Sequence, residues 1–313
     1  EVIVTPRSFV ATASSILSIG AKPVFVDVEE ENGNIDPQEI KKNITKKSKA
    51  IICVHLGGLP CKMNEIVSIA KQNKLDIVED CSQAHGAKYN LKSVGSFGSI
   101  GTWSFCQDKN ISTGGEGGMI TTNSPILYKK IQSLRDHGKN FSKLIKLNQE
   151  NRFKYIHDTY GSNLRLTEMQ SAIGINHLNK LDLWQKLREK NAMALSSTFE
   201  QYSEYVRIPE VPSYSVHGWY RFYIFIKNKS LKCGWSRNRI IDSLNNNGVP
   251  CFEGSCPEIY LEKSFKKDIK DLSLPKAKKL GKTSIAFLVH PTLTKKQITH
   301  MISGINKTFK KVN

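Results

Sequence analysis

No apolar run in this 313-residue chain approaches the roughly 20 residues needed to cross a bilayer, so no membrane-spanning helix is expected. The opening Glu1-Val-Ile-Val-Thr-Pro6 lacks the basic leader and apolar core of a secretory signal. It begins with Glu inside what reads as a strand, so the sequence is expected to be a fragment or a processed product. The seven cysteines, at 53, 61, 81, 106, 233, 251 and 256, include no Cys-x-x-Cys pair. That odd, unpatterned set argues against a disulfide framework and for reduced thiols in a cytoplasmic protein. Cys251 and Cys256 have no histidine at ligand spacing, so no metal is expected. Internal repeats and low-complexity tracts are absent as well.

Acid is in short supply. Against 46 basic side chains stand 28 acidic ones, a formal charge of +18, which raises the question of a nucleic-acid partner. The lysines, however, are scattered over 41–42, 46–47, 266–267, 276–282 and 310–311, with no interleaved aromatics and no nucleic-acid-binding motif. Solvated helix faces account for them, and no nucleic-acid partner is expected. The net positive field would also draw in a diphosphate-bearing substrate.

What remains is a globular composition, 39% hydrophobic with dispersed glycines, long enough for one large or two ordinary domains. The first half alternates short apolar strands (2–4, 23–28, 50–55, 75–79, 101–105 and 119–122) with helical segments at 12–19, 64–73 and 125–136. Asp36-Pro37-Gln38-Glu39 reads as a capped helix start, and Thr167 opens a long helical pattern towards Tyr202. Residues 139–159 carry no pattern and read as an excursion near the site. Near-continuous apolar strands between helices imply a mostly parallel, buried sheet. The character changes around Ile208-Pro209-Glu210-Val211-Pro212, after which strands at 217–226 and 285–289 and helices at 236–246 and 295–309 are expected. The expected division is a large α/β domain over 1–205 and a smaller α+β domain over 206–313.

Two chemical features lie at strand ends. The run Leu75-Asp-Ile-Val78 leads into Glu79-Asp80-Cys-Ser-Gln83-Ala-His85-Gly86. The strand Gly101-Thr-Trp-Ser-Phe105 leads to Lys109 and then to the glycine-rich Gly114-Gly-Glu-Gly-Gly118. A strand-ending aspartate and a loop lysine 29 positions on (109 − 80) are two parts that a pyridoxal phosphate (PLP) enzyme needs. The amine forms a Schiff base with the cofactor aldehyde, and the carboxylate keeps the pyridine nitrogen protonated. Glycines beside the lysine permit close approach of a flat ligand.

Taken with Pro6-Arg-Ser-Phe9-Val-Ala-Thr12 and Gly161-Ser-Asn163-Leu-Arg165-Leu-Thr-Glu-Met-Gln170, these segments resemble the DegT/DnrJ/StrS family of PLP-dependent nucleotide-sugar aminotransferases. The resemblance runs through most of the chain. It implies the aspartate-aminotransferase-like PLP fold (type I), an α/β architecture. It also implies transfer of an amino group from glutamate to a nucleotide-linked keto-sugar, through pyridoxamine phosphate, in amino-sugar and surface-polysaccharide biosynthesis.

By that resemblance Lys109 is catalytic, Asp80 faces the pyridine nitrogen and Gln83 the ring hydroxyl. Phe9 stacks on the ring, Ser104 binds the phosphate, and Asn163 reaches the phosphate of a neighbouring subunit, which implies a homodimer. His85 is either a structural histidine or a substrate contact. Arg165 pairs either with substrate or with a carboxylate inside the protein. Relatives that remove a hydroxyl instead carry histidine at the position of Lys109. Nothing before Pro6 matches the family's Ser-Gly-Thr turn, where backbone amides cradle the phosphate, and Gly161-Ser-Asn163 departs from an aromatic-flanked form. The missing turn keeps a second reading open, that of a truncated, non-catalytic scaffold or regulatory partner.

Overall fold

The computed structural model describes residues 1–146, 155–265 and 272–312. Its strands are β1 (Val2–Val4), β2 (Pro23–Phe25), β3 (Ala50–Val54), β4 (Asp76–Asp80), β5 (Lys88–Tyr89), β6 (Lys92–Ser93), β7 (Ile100–Ser104), β8 (Gly118–Thr121), β9 (Val206–Arg207), β10 (Ser215–Val216), β11 (Phe222–Ile226), β12 (Cys251–Phe252) and β13 (Ser284–Phe287). Six of them form one sheet in the order β2-β1-β3-β4-β7-β8. All its pairings are parallel except β7 with β8.

Successive side chains in a strand face opposite ways, and β1 shows the consequence. Ile3 joins Ile51, Met63, Ile66 and Ile77 in a core on one face of the sheet. Val4 joins Ala13, Ile16 and Phe25 on the other face, closed by Phe225, Tyr260 and Leu280 from the C-terminal third. Both faces are covered, as the apolar strands require.

The helices are α1 (Ala11–Ser18), α2 (Pro37–Lys42), α3 (Met63–Asn73), α4 (Pro125–Arg135), α5 (Phe141–Lys146), α6 (Glu168–Glu200), α7 (Arg237–Asn246), α8 (Pro275–Thr283) and α9 (Lys295–Val312). Their starts follow from local chemistry. Asp36 accepts the N–H of Gln38 at 2.9 Å ahead of Pro37, and Ser236 caps α7. Thr167 and Gln170 form a reciprocal capping box on the 33-residue α6. The second half of α6 (Ala192, Leu195, Phe199) is buried against a four-stranded antiparallel sheet, β12-β13-β11-β9, together with α7 and α9.

Three features differ from the sequence expectation. Within 139–159, α5 forms because Asn140 caps it, accepting the N–H of Lys143 at 3.1 Å while its own amide donates to Asp158 at 2.6 Å. Residues 147–154 lie outside the described residues. The strand expected at 217–226 begins only at Phe222, since Trp219 takes φ +46, which no strand accommodates. Finally, α8 and the small sheet β10-β5-β6 were not signalled by any periodicity.

Candidate active site

The sequence-derived candidates gather beyond the carboxyl ends of the parallel strands, where ligands of such sheets bind. Pro6–Phe9 follow β1, His55–Gly58 follow β3, Asp80–His85 end and follow β4, and Ser104–Lys109 end and follow β7. Asp80 lies in register with Val54 on one side and Thr102 on the other.

Asp80 is partly buried and fixed at both oxygens. Thr12 donates its hydroxyl to Oδ2 at 2.8 Å, and the N–H of Ser82 reaches Oδ1 at 3.1 Å. A threonine hydroxyl has one proton, so the 2.9 Å contact between Ser8 and Thr12 must run from the Ser8 hydroxyl. Phe9, one residue further, is 68% exposed beside the otherwise buried stretch from Ile3 to Ser8. It is therefore no core phenylalanine.

Gln83 is buried, and its Oε1 accepts the N–H of Gly57 at 2.7 Å. Its amide hydrogens have no partner among the described residues. Gly58 (φ +101) makes this possible, because a Cβ there would stand 2.9 Å from the Trp219 nitrogen and 3.0 Å from the Gln83 carbonyl oxygen. His85 is buried between Trp103 and Phe105, ring centroids 5.4 and 5.9 Å away, and neither ring nitrogen has a hydrogen-bond partner among the described residues. Burial, helped by the charge of Lys109, pushes its pKa down to about 4, and the nearby Ser104 backbone offsets this only in part. At neutral pH it is an uncharged aromatic wall.

The Lys109 side chain is 14% exposed. Its Nζ lies 3.4 Å from the Tyr220 hydroxyl, 4.7 Å from the centre of that ring and 3.7 Å from Asp108 Oδ1. Asn110 secures the turn by donating to the Gly218 carbonyl at 2.6 Å. Ser104 Oγ accepts the N–H of Cys106 at 3.4 Å.

Asn163 and Arg165 stand apart, both exposed. Asn163 pairs with Asp136 in an isolated bridge, and its side chain accepts the Arg165 N–H at 3.5 Å. Arg165 forms an ion pair with Asp136, which also holds Lys139 at 3.0 Å. Among the described residues neither hydrogen-bonds to Asp80, Gln83, Ser104 or Lys109.

A second polar cluster faces the opposite side of β4 from Asp80. Glu79 is fully buried. Its Oε1 accepts the N–H groups of Phe97 and Gly98, each at 2.7 Å, and its Oε2 accepts that of Gly95 at 2.7 Å and His55 Nε2 at 3.2 Å. His55 Nδ1 accepts the Cys61 N–H at 3.0 Å, which places the ring proton on Nε2, facing Glu79. Burial opposes the Glu79 charge, yet His55 and the backbone N–H groups hold its carboxyl below the usual range. Glu79, His55 and Cys81 have metal-ligand chemistry and proximity. Four donors already fill a carboxylate's capacity, however, so the cluster is a brace for the 95–98 turn and not a cation site.

Several site groups escaped the sequence reading. Asp108 and Thr12 were inside segments already singled out. Tyr220 and Arg221 lie 111 and 112 positions beyond Lys109 and no spacing rule reaches them.

A mostly parallel sheet carrying a lysine and a fixed carboxylate at its carboxyl edge defines the aspartate-aminotransferase-like (type I) fold, and similarity to solved structures bears this out. The aminotransferase from Psychrobacter cryohalolentis superposes with a TM-score of 0.97 at 43% identity, covering 99% of this chain and 81% of that one. Helicobacter pylori PseC, an aminotransferase involved in pseudoaminic acid biosynthesis, superposes with a TM-score of 0.89 at 27% identity over 99% and 80%. In sequence, the GDP-perosamine synthase of Escherichia coli O157:H7 is 31% identical over 309 residues, 99% of this chain and 79% of that protein. The chain belongs to the DegT/DnrJ/EryC1/StrS aminotransferase family, which matches residues 1–306.

Proposed function

We propose that this enzyme moves an amino group from glutamate to a nucleotide-linked keto-sugar, with pyridoxal phosphate as cofactor, in amino-sugar and surface-polysaccharide biosynthesis. One observation carries the reading: a doubly hydrogen-bonded Asp80 and a largely enclosed Lys109 stand beyond the ends of neighbouring parallel strands. Relatives named as GDP-perosamine synthase and as dTDP-amino-sugar transaminases support the substrate class.

The residues fit a flat pyridine bearing a phosphate. Asp80 would hold the protonated ring nitrogen, and Thr12 and Ser82 fix that carboxylate in place. Gln83, its oxygen tied to Gly57, has amide hydrogens to offer a ring hydroxyl. Phe9 offers an exposed ring for stacking, and Ser104 a hydroxyl for phosphate. Bound pyridoxal phosphate supplies an electron sink that acidifies a substrate C–H bond. Lys109 Nζ is the group that takes and returns the proton. His85 contributes an uncharged wall, since its charged form is disfavoured by burial.

Asn163 is exposed, its side-chain oxygen meets only the Arg165 N–H among the described residues, and it is flanked by exposed Tyr160, Leu164 and Met169. That supports a homodimer in which Asn163 serves the partner's site. Arg165, engaged by Asp136, is assigned to holding this segment and not to substrate. All seven cysteines are free, which supports a reducing, cytoplasmic setting.

The test is direct. The protein is mixed with pyridoxal phosphate, reduced with borohydride and mapped by peptide mass spectrometry, while amino transfer from glutamate to keto-sugar nucleotides is assayed. A label on Lys109 with transfer is expected. A folded protein that takes no label there refutes the proposal and leaves the scaffold reading.

A further inference from the structure

The segment 217–221 is an over-determined strap. Trp219 adopts φ +46, a conformation that strains a bulky residue and persists only where its surroundings enforce it. They do so here. The Trp219 N–H donates to His217 Nδ1 at 2.8 Å, with the two rings stacked 3.9 Å apart. Gly218 and Tyr220 donate their N–H groups to the carbonyls of Gly58 and Gly57 at 2.8 and 3.0 Å. Asn110, next to Lys109, closes the strap from the other side through the Gly218 carbonyl. The geometry that results is delivered to one residue, Tyr220.

Tyr220 is buried and sits among charges of both signs. Its hydroxyl donates to Asp108, which also accepts from Arg221 at 3.1 Å. Having given up its only proton, that hydroxyl is left with lone pairs, and these face Lys109 Nζ at 3.4 Å and Arg221 Nη2 at 3.3 Å. The ring also lies within cation–π reach of both cations, Lys109 at 4.7 Å and Arg221 at 4.0 Å. Burial and the hydrogen bond to Asp108 push the phenol's pKa up, so Tyr220 acts as an acceptor and not as a base. The charged or titratable groups facing Lys109 are thus Asp108 from its own loop, Tyr220 and Arg221 from the strap, and uncharged His85 after β4.

We propose that Tyr220, oriented by Asp108 and Arg221, is the resting partner of the Lys109 amine whenever that amine is not bonded to cofactor, and is therefore a positioning residue for amino transfer. This rests on the assignment of Lys109 under the proposed function. A free ammonium without an acceptor would swing into the substrate space. Tyr220 gives it a defined place from which to return.

The experiment uses the full chain stripped of pyridoxal phosphate with hydroxylamine. Acylation of each lysine at fixed pH is followed by quantitative peptide mass spectrometry in wild type, Tyr220→Phe and Asp108→Asn, with thermal melting to check folding. Tyr220→Phe removes the acceptor that holds the amine in place, so Lys109 should label roughly tenfold faster in that variant. Asp108→Asn should shift it the same way, while Lys41 and Lys42 stay unchanged. Equal Lys109 rates in folded wild type and both variants would overturn the proposal. The outcome is independent of cofactor chemistry: a wild type that fails borohydride labelling sinks the proposed function, but leaves this contact still measurable.

Discussion

Glu79→Gln isolates the brace behind the site. Each carboxylate oxygen of Glu79 accepts two N–H donors, from Phe97 and Gly98 on one and from Gly95 and His55 on the other. A glutamine retains one oxygen and presents an NH2 where the other stood, so two buried donors lose their acceptor and face a third donor. Each buried donor left without its acceptor costs about 1–3 kcal/mol, so the two should lower stability by about 2–6 kcal/mol. With an unfolding entropy of about 2.1 cal/mol/K per residue, a chain of this length should lose about 3–9 °C in Tm.

The wild type should also show the linked pH dependence. The folded-state pKa of Glu79 is depressed, so its contribution is fully present above the ordinary carboxylate pKa of about 4.3 and fades as pH falls through the lower folded value. Calorimetry or far-ultraviolet dichroism at pH 7 and at acid pH reads both effects. A loss under about 1 kcal/mol at pH 7, or an equal loss for the variant at every pH, would refute the reasoning.

Further outcomes concern the site itself. Lys109→Ala should abolish borohydride-dependent labelling and lower transfer by roughly a hundredfold or more in steady-state assays. Thr12→Val keeps the shape but removes the donor to Asp80, so pyridoxal phosphate titrated by absorbance should bind about tenfold more weakly, with Tm little changed. If Asn163 serves the partner's site, inactive Lys109→Ala and Asn163→Ala proteins should complement on mixing and subunit exchange. Roughly a quarter of wild-type activity should return, since half the dimers are mixed and each has one whole site. Absence of any recovery in verified mixed dimers argues that Asn163 acts within its own chain.

Much of the architecture was written locally. Ala50–Val54 is a short apolar run, Ile77 and Val78 form the apolar centre of Asp76–Asp80, and helices carry visible caps at Asp36 and Thr167, signals that depend only on neighbours in sequence. The clustering of Asp80, Gln83, Ser104 and Lys109 follows from the same source, because parallel strands bring their ends to one edge. The family resemblance marked Asn163 and Arg165, yet what Arg165 meets depended on Asp136 taking a place beside it. The positions of Tyr220 and Arg221 are set by the close passage of the strap over Gly57–Gly58, a packing event with no counterpart in periodicity or spacing. His85 could be marked but not characterised, since its neutrality depends on Trp103 and Phe105 closing around it.

The strap has a temporal implication. Lys109 and the tyrosine beside it are contributed by stretches 111 residues apart in the chain, so their meeting is a long-range event in folding. During refolding, helical signal and the parallel sheet should recover first. Competence to capture an aldehyde at Lys109 should lag behind them, appearing only once the antiparallel sheet has docked and drawn its loop across the two glycines.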